Sequence, residues 1–158
     1  MNKKNITVLF AVVAAIGGIF LWQNFTPVAE ISLAGEKVEV YKTPECGCCT
    51  VYASYLSRSG VEMATQNISS VELGRIKEEN GIPENLSSCH TSFVAGYVVE
   101  GHIPLSVIEK LLKEKPDIKG IALPGMPSGT PGMPGPKTEE WIIYSIAKDG
   151  TIGEFTRI

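Results

Sequence analysis

The chain has 158 residues, one domain's worth, with 44% hydrophobic and 20% charged residues, which excludes a disordered chain. A formal net charge of -3 argues against nucleic acid as the main partner, because phosphate binding needs a concentrated basic face. Four cysteines and two histidines suffice for one site but not for a disulfide scaffold or a multi-zinc array, and no GxxxxGK[ST] or GxGxxG motif is present for a nucleotide enzyme.

Lys3 and Lys4 precede an apolar run from Ile6 to Trp22, and no charge occurs from Asn5 through Ala29. The run falls between a signal h-region (~7–15 residues) and a spanning helix (~17–25 residues). Residues 1–34 are therefore read as a signal peptide or membrane anchor, with 35–158 as the exported domain. Ser32-Leu33-Ala34 is the best cleavage candidate, and no cysteine placed for a lipoprotein anchor follows the run. A buried core helix is the bland alternative.

Lys37–Lys42 alternates apolar and polar residues and predicts a strand, broken by Thr43-Pro44-Glu45. Cys46-Gly47-Cys48-Cys49 then opens a helix to about Ser59, with Val51, Tyr55 and Leu56 on one face and Gly60 as its stop. Val61–Ile68 is a second strand. Ser69 and Glu72 form a capping box for a helix through Glu79, stopped by Asn80-Gly81 and Pro83. A loop over Glu84–Ser88 leads into Cys89-His90-Thr91, and Phe93–Glu100 reads as one strand. A helix starts near Pro104, buries Leu105, Ile108, Leu111 and Leu112, and closes at Pro116. Pro124–Pro136 contains Pro-Gly-Met-Pro twice and can hold neither helix nor sheet. Trp141–Ala147 and Ile152–Ile158 flank Asp149-Gly150, a hairpin signal. The order predicts an α/β fold: a thioredoxin-like mixed sheet with flanking helices and a C-terminal β-hairpin. On that analogy the Cys89-His90 loop packs against the helix that begins with the other cysteines.

CxxC at a helix start is the dithiol geometry of disulfide oxidoreductases, and the positive helix end lowers thiol pKa values. Three thiols in four residues exceed the needs of a dithiol cycle, and the surplus points to a soft metal: Cu(I), Zn(II) or iron–sulfur. Two structural disulfides, a Cys₃His zinc site, and inert buried cysteines are the competing readings. Cys89 and His90 would raise the donor set to four sulfurs and one imidazole. His102 could equally cap the following helix, and Met126 and Met133 could be filler or thioether donors. No GxSxG elbow accompanies Ser87, Ser88 and His90, so a hydrolase is not supported.

Four motifs, in order, resemble domain-of-unknown-function family 411, which includes the CopG-like bacterial copper-resistance proteins. They are Tyr41–Cys49 (YKTPECGCC), Ser88–Thr91 (SCHT), Gly96–Pro104 (GYVVEGHIP) and Ala122–Met133 (ALPGMPSGTPGM). The resemblance covers about residues 37–158. It implies a thioredoxin-like fold, export to the periplasm, and copper binding or copper-linked redox chemistry. It also implies Cys46, Cys48, Cys49, Cys89 and His90 as copper and redox residues; the CxxC spacing at a helix start makes Cys46 and Cys49 the expected redox pair. The combined expectation is a protein that handles Cu(I), more than one ion, through thiols whose oxidation releases the metal. Copper-efflux or copper-chaperone proteins are its expected partners. The alternative is a periplasmic thiol–disulfide oxidoreductase without a stable metal cluster.

Overall fold

The computed structural model describes Leu33 and residues 35–158. The expected signal or anchor segment otherwise lies outside the described residues. Among the described residues, no helix is long and apolar enough to cross a membrane.

Strand β1 (Lys37–Lys42) alternates as expected, burying Val38, Val40 and Lys42. Helix α1 (Gly47–Arg58) carries the chain over to β2 (Glu62–Asn67), which pairs parallel to β1 with Lys37 opposite Glu62. The buried face of α1 is Cys49, Tyr52 and Leu56, not Val51, Tyr55 and Leu56. Val51 is 55% exposed. The apolar stripe begins at a cysteine, a residue that serves both the sulfur cluster and the core, and its place in the stripe turns the buried face one step around the helix.

Helix α2 (Ser70–Glu79) starts where Ser69 Oγ accepts the Glu72 N–H at 3.1 Å, one half of a capping box. A 3₁₀ turn, Glu84–Leu86, precedes the next strand. The single strand expected at Phe93–Glu100 is instead the antiparallel hairpin of β3 (His90–Val94) and β4 (Tyr97–Glu100). Ala95 (φ +47°) and Gly96 (φ +86°) make its tight turn. Ala-Gly is a weaker turn signal than Asn-Gly, so the hairpin was hidden in an apolar stretch.

Helix α3 (Leu105–Glu114) buries Val107, Ile108, Leu111 and Leu112, with Leu105 at the margin, and ends on Lys115 in the left-handed region. Strand β5 (Gly120–Ala122) was not foreseen, because three residues carry no periodicity. It pairs parallel to β4, and a side chain at Gly120 would collide with the Val98 carbonyl. Pro124–Pro136 contains no helix or strand. Strands β6 (Ile142–Ile146) and β7 (Ile152–Arg157) form the expected C-terminal hairpin.

These strands make one mixed seven-stranded sheet, ordered β2-β1-β3-β4-β5-β6-β7. Period-two alternation divides neighbours between its two faces. Val99 and Ile121 join the main core with α1 and α3, whereas Val98 and Ala122 join a second core with Ile82, Leu86 and Ile146. With both faces covered, β3, β4 and β5 are buried along almost their whole length, polar His90, Thr91, Ser92 and Glu100 included. Leu33 is buried in the main core, and its carbonyl accepts the Glu36 N–H. The β1–α1 junction and the start of β3 meet at the same end of the sheet, with Lys42 opposite His90.

Candidate functional site

The turn after β1 is closed by the Cys46 N–H donating to Thr43 O at 3.1 Å. Cys46 is the N-cap of α1, and among the described residues no side chain caps the first-turn amides. Those amides and the helix dipole favour negative charge on the adjacent sulfurs. Cys49 is fully buried; Cys46 and Cys48 are half-buried. A disulfide joins Cys46 to Cys49 across a Cα separation of 5.4 Å, leaving Cys48 and Cys89 as thiols.

Cys89, from the other side of the sheet end, faces this helix start. Its Sγ lies 3.4 Å from Cys49 Sγ and 3.9 Å from Cys48 Sγ, while Cys46 and Cys48 are 3.5 Å apart. All four sulfurs lie within 4.8 Å of one another. A second group, Cys49, Cys89, His90 and His102, meets the same limit and shares two sulfurs with the first. The five residues singled out in the sequence are thus brought together, and His102, whose role the sequence left open, joins them.

His90 is the first residue of β3 rather than part of a loop. It is fully buried, with Nδ1 3.5 Å from Cys89 Sγ and, among the described residues, no partner on Nε2. His102 has Nε2 2.9 Å from Cys89 Sγ and Nδ1 2.6 Å from Pro131 O. A carbonyl only accepts, so Nδ1 carries the proton and Nε2 turns a lone pair toward the sulfurs. Tyr52 packs its ring 4.6 Å from His90 and donates its hydroxyl to Ile103 O at 2.9 Å. The two imidazoles meet edge to face at 4.9 Å.

Burial disfavours the charged forms of Cys89, His90 and His102. Burial, and then the Cys48 charge, push the Cys89 thiol up to about 12. Burial holds His90 well below the ordinary histidine value, helped by His102, Lys77 and Lys42. Burial lowers His102 as well, opposed by its bond to Pro131. A soft cation bound by the thiols would reverse the thiol preference, because a coordinating sulfur gives up its proton.

Behind the sulfurs lies a buried ion pair that the sequence did not announce. Glu100 is fully buried and accepts from Lys77 Nζ, from Thr91 Oγ1 at 2.7 Å and from the Ser88 N–H at 2.6 Å. Ser88 Oγ also donates to Gly125 O. The residue before Cys89 is therefore held from both sides. The Pro-Gly-Met-Pro loop roofs the site at Gly132 (φ +89°), where a Cβ would stand 2.6 Å from Cys48 O and 3.2 Å from His102 Nδ1. Met126 is 51% exposed and Met133 is half-buried.

No curated protein matches this sequence. The family model described as "Protein of unknown function, DUF411" matches residues 86–133, the stretch with Cys89, His90, His102 and most of the roof loop. A solved structure titled "Copper resistance protein copG- Form 2" is 31% identical, with a TM-score of 0.70, and the match covers 78% of this chain and 98% of that one. The chain belongs to the DUF411 family of CopG-like proteins. A second structure, "Copper resistance protein copG- Form 1", is 29% identical with a TM-score of 0.69, covering 77% of this chain and 96% of that one. The DUF411 match lies wholly outside Cys46-Gly47-Cys48-Cys49, while the copG structures align with most of the described residues. Tyr52, Glu100, Lys77 and the Pro131 carbonyl are the site residues that sequence reasoning missed. Only Gly101-His102, a turn directly after an apolar strand, offered a signal for a positioned histidine.

Proposed function

We propose that this chain is an exported, copper-handling member of its family, built on a thioredoxin-like scaffold. Cys46, Cys48, Cys49 and Cys89 bind Cu(I) as thiolates, and His90 and His102 supply imidazole nitrogen. The observation that carries this reading is the convergence of four sulfurs within 4.8 Å of one another. Thiolates select soft ions, and sulfurs this crowded can bridge more than one Cu(I), whereas tetrahedral zinc takes four separate donors on one ion. The names of the solved relatives support copper as the cargo. Residues 1–34 would carry the domain out of the cytoplasm or tether it to the membrane, and partner proteins would be copper exporters or chaperones.

Thiol redox is coupled to this role, because closing the Cys46–Cys49 disulfide removes two donors and lowers the capacity for metal. The disulfide itself favours a second reading, a thioredoxin-type thiol–disulfide oxidoreductase without a stable cluster. An anaerobic competition titration of the reduced protein against a Cu(I) chelator, run in parallel with zinc, decides between them. Copper loading above one ion, reduced in Cys48→Ser, is expected. Equal or tighter zinc binding, or full copper loading without Cys48, would favour the plain dithiol enzyme.

A further inference from the structure

The Cys46–Cys49 bond lies beside a thiol that no dithiol cycle requires. Cys89 Sγ is 3.4 Å from Cys49 Sγ, close to van der Waals contact for two sulfurs. Its hydrogen-bond partner, His102 Nε2, is at 2.9 Å and presents a lone pair. We infer that Cys89 is a resolving thiol that moves the disulfide within the site, from Cys46–Cys49 to Cys49–Cys89.

The step is an isomerisation and needs no oxidant, reductant or metal. Burial disfavours a free Cys89 thiolate, so the Cys89 proton passes to His102 Nε2 in the same event in which the sulfur attacks Cys49 Sγ. The Cys49–Cys89 bond forms as the Cys46–Cys49 bond breaks, and Cys46 leaves as a thiolate. His102 then returns its proton, through solvent, to Cys46, so two thiols and one disulfide exist before and after.

A rival exchange is also within reach, since Cys48 Sγ lies 3.5 Å from Cys46 Sγ. Attack there would expel Cys49. The leaving sulfurs differ in a way that decides between the two routes. Cys46 is the uncapped N-cap of α1 and half-buried, so its thiolate meets free backbone N–H groups and water. Cys49 is 0% exposed, so its thiolate would be desolvated. A better-stabilised leaving thiolate departs faster. The favoured route therefore buries the disulfide between Cys49 and Cys89 and leaves Cys46 and Cys48 free at the helix start. Two thiols at the helix start can then meet an external disulfide or a soft ion while the protein is still oxidised, whereas the Cys46–Cys49 form leaves only Cys48 there. The inference does not depend on copper, so it stands or falls separately from the proposed function.

Trypsin makes the two disulfides distinguishable. Cys46, Cys48 and Cys49 fall on one fragment, residues 43–58, and Cys89 on another, residues 78–110. The full-length, metal-free chain is oxidised to one disulfide with diamide, held anaerobically to equilibrate, quenched with acid, alkylated and digested. The expected product in the wild-type chain is a cross-linked species with the summed mass of the two fragments. It should persist in Cys48→Ser, rise in Cys46→Ser and vanish in Cys49→Ser. An equilibrated wild-type chain with the disulfide only inside fragment 43–58 would overturn the inference without any variant having to fold. So would a cross-link that vanishes in Cys48→Ser and survives in Cys49→Ser.

Discussion

His102 faces Cys89 with Nε2 at 2.9 Å from the sulfur, because its Nδ1 is anchored on Pro131 O at 2.6 Å. The pair joins β4's exit to the segment before β3, and a backbone carbonyl from the Pro-Gly-Met-Pro loop fixes the ring's tautomer. The side chain that faces the sulfurs is thus set by a residue 29 positions further along the chain. This dependence on the roof loop gives the first prediction.

Gly132→Ala should be clearly worse than Gly125→Ala. Both glycines have positive φ, +89° and +66°, so each substitution costs about 1–2 kcal/mol of backbone strain. A Cβ at Gly125 meets nothing within 4 Å, whereas at Gly132 it strikes Cys48 O at 2.6 Å. The roof must lift, adding about 1–3 kcal/mol. Urea unfolding of the reduced proteins measures the difference, and equal midpoints would contradict the packing described.

Glu100→Gln should cost about 3–5 kcal/mol, the range for breaking a buried ion pair and stranding its partner. The Lys77 side chain is only 12% exposed and has Glu100 as its ion-pair partner. The double change Lys77→Met with Glu100→Leu should recover part of the loss by removing both charges, although the Ser88 N–H and Thr91 hydroxyl then lose their acceptor. Denaturant midpoints of the three proteins test this, and a double variant weaker than Glu100→Gln would refute it.

Metal-free stability should fall as pH drops below 6.5. The folded state keeps His90 neutral, because burial lowers its pKa from 6.5, whereas the unfolded chain takes up the proton. Unfolding therefore binds protons in this window, and stability declines by at most about 1.4 kcal/mol per pH unit for this group. Glu100 works in the opposite sense, since burial raises its pKa and the folded state holds its proton more readily. The measurement is therefore the difference in pH slope between wild type and His90→Gln, which should carry a shallower loss.

A chain beginning at Gly35 should be less stable than one beginning at Ile31. Leu33 is 2% exposed in the main core, and losing its burial removes about 1.5–3 kcal/mol. Thermal or urea unfolding of the two forms should separate them, and identical midpoints would show that Leu33 contributes nothing.

The sequence made the flanks of the site readable. Alternation in Lys37–Lys42, the Ser69 cap and the Asp149-Gly150 turn are local signals, and β1, α2 and the final hairpin follow from them. What failed was short or shared between tasks. Strand β5 is too short to show a period, and the β3–β4 turn uses Ala95-Gly96 in place of a strong turn pair. Cys49 is both site sulfur and core residue, so treating it as chemistry displaced the helix face by a residue. In the site, the cysteines were legible because clustered thiols are rare without a cause. Glu100, Lys77 and the Pro131 carbonyl were not, because a lone charge or a carbonyl has no periodicity and becomes meaningful only when the fold delivers its partner.

The roof over His102 also sets an order of events during synthesis. Cys46, Cys48 and Cys49 leave the ribosome together. Cys89 follows, then His102, and Pro131 emerges last of the site's groups. A chain released before Pro131 would hold all four sulfurs yet lack the acceptor that aims His102. The finished centre is in that sense a proof of length: only a chain translated through its glycine- and proline-rich loop can set His102 against the sulfurs as it stands here.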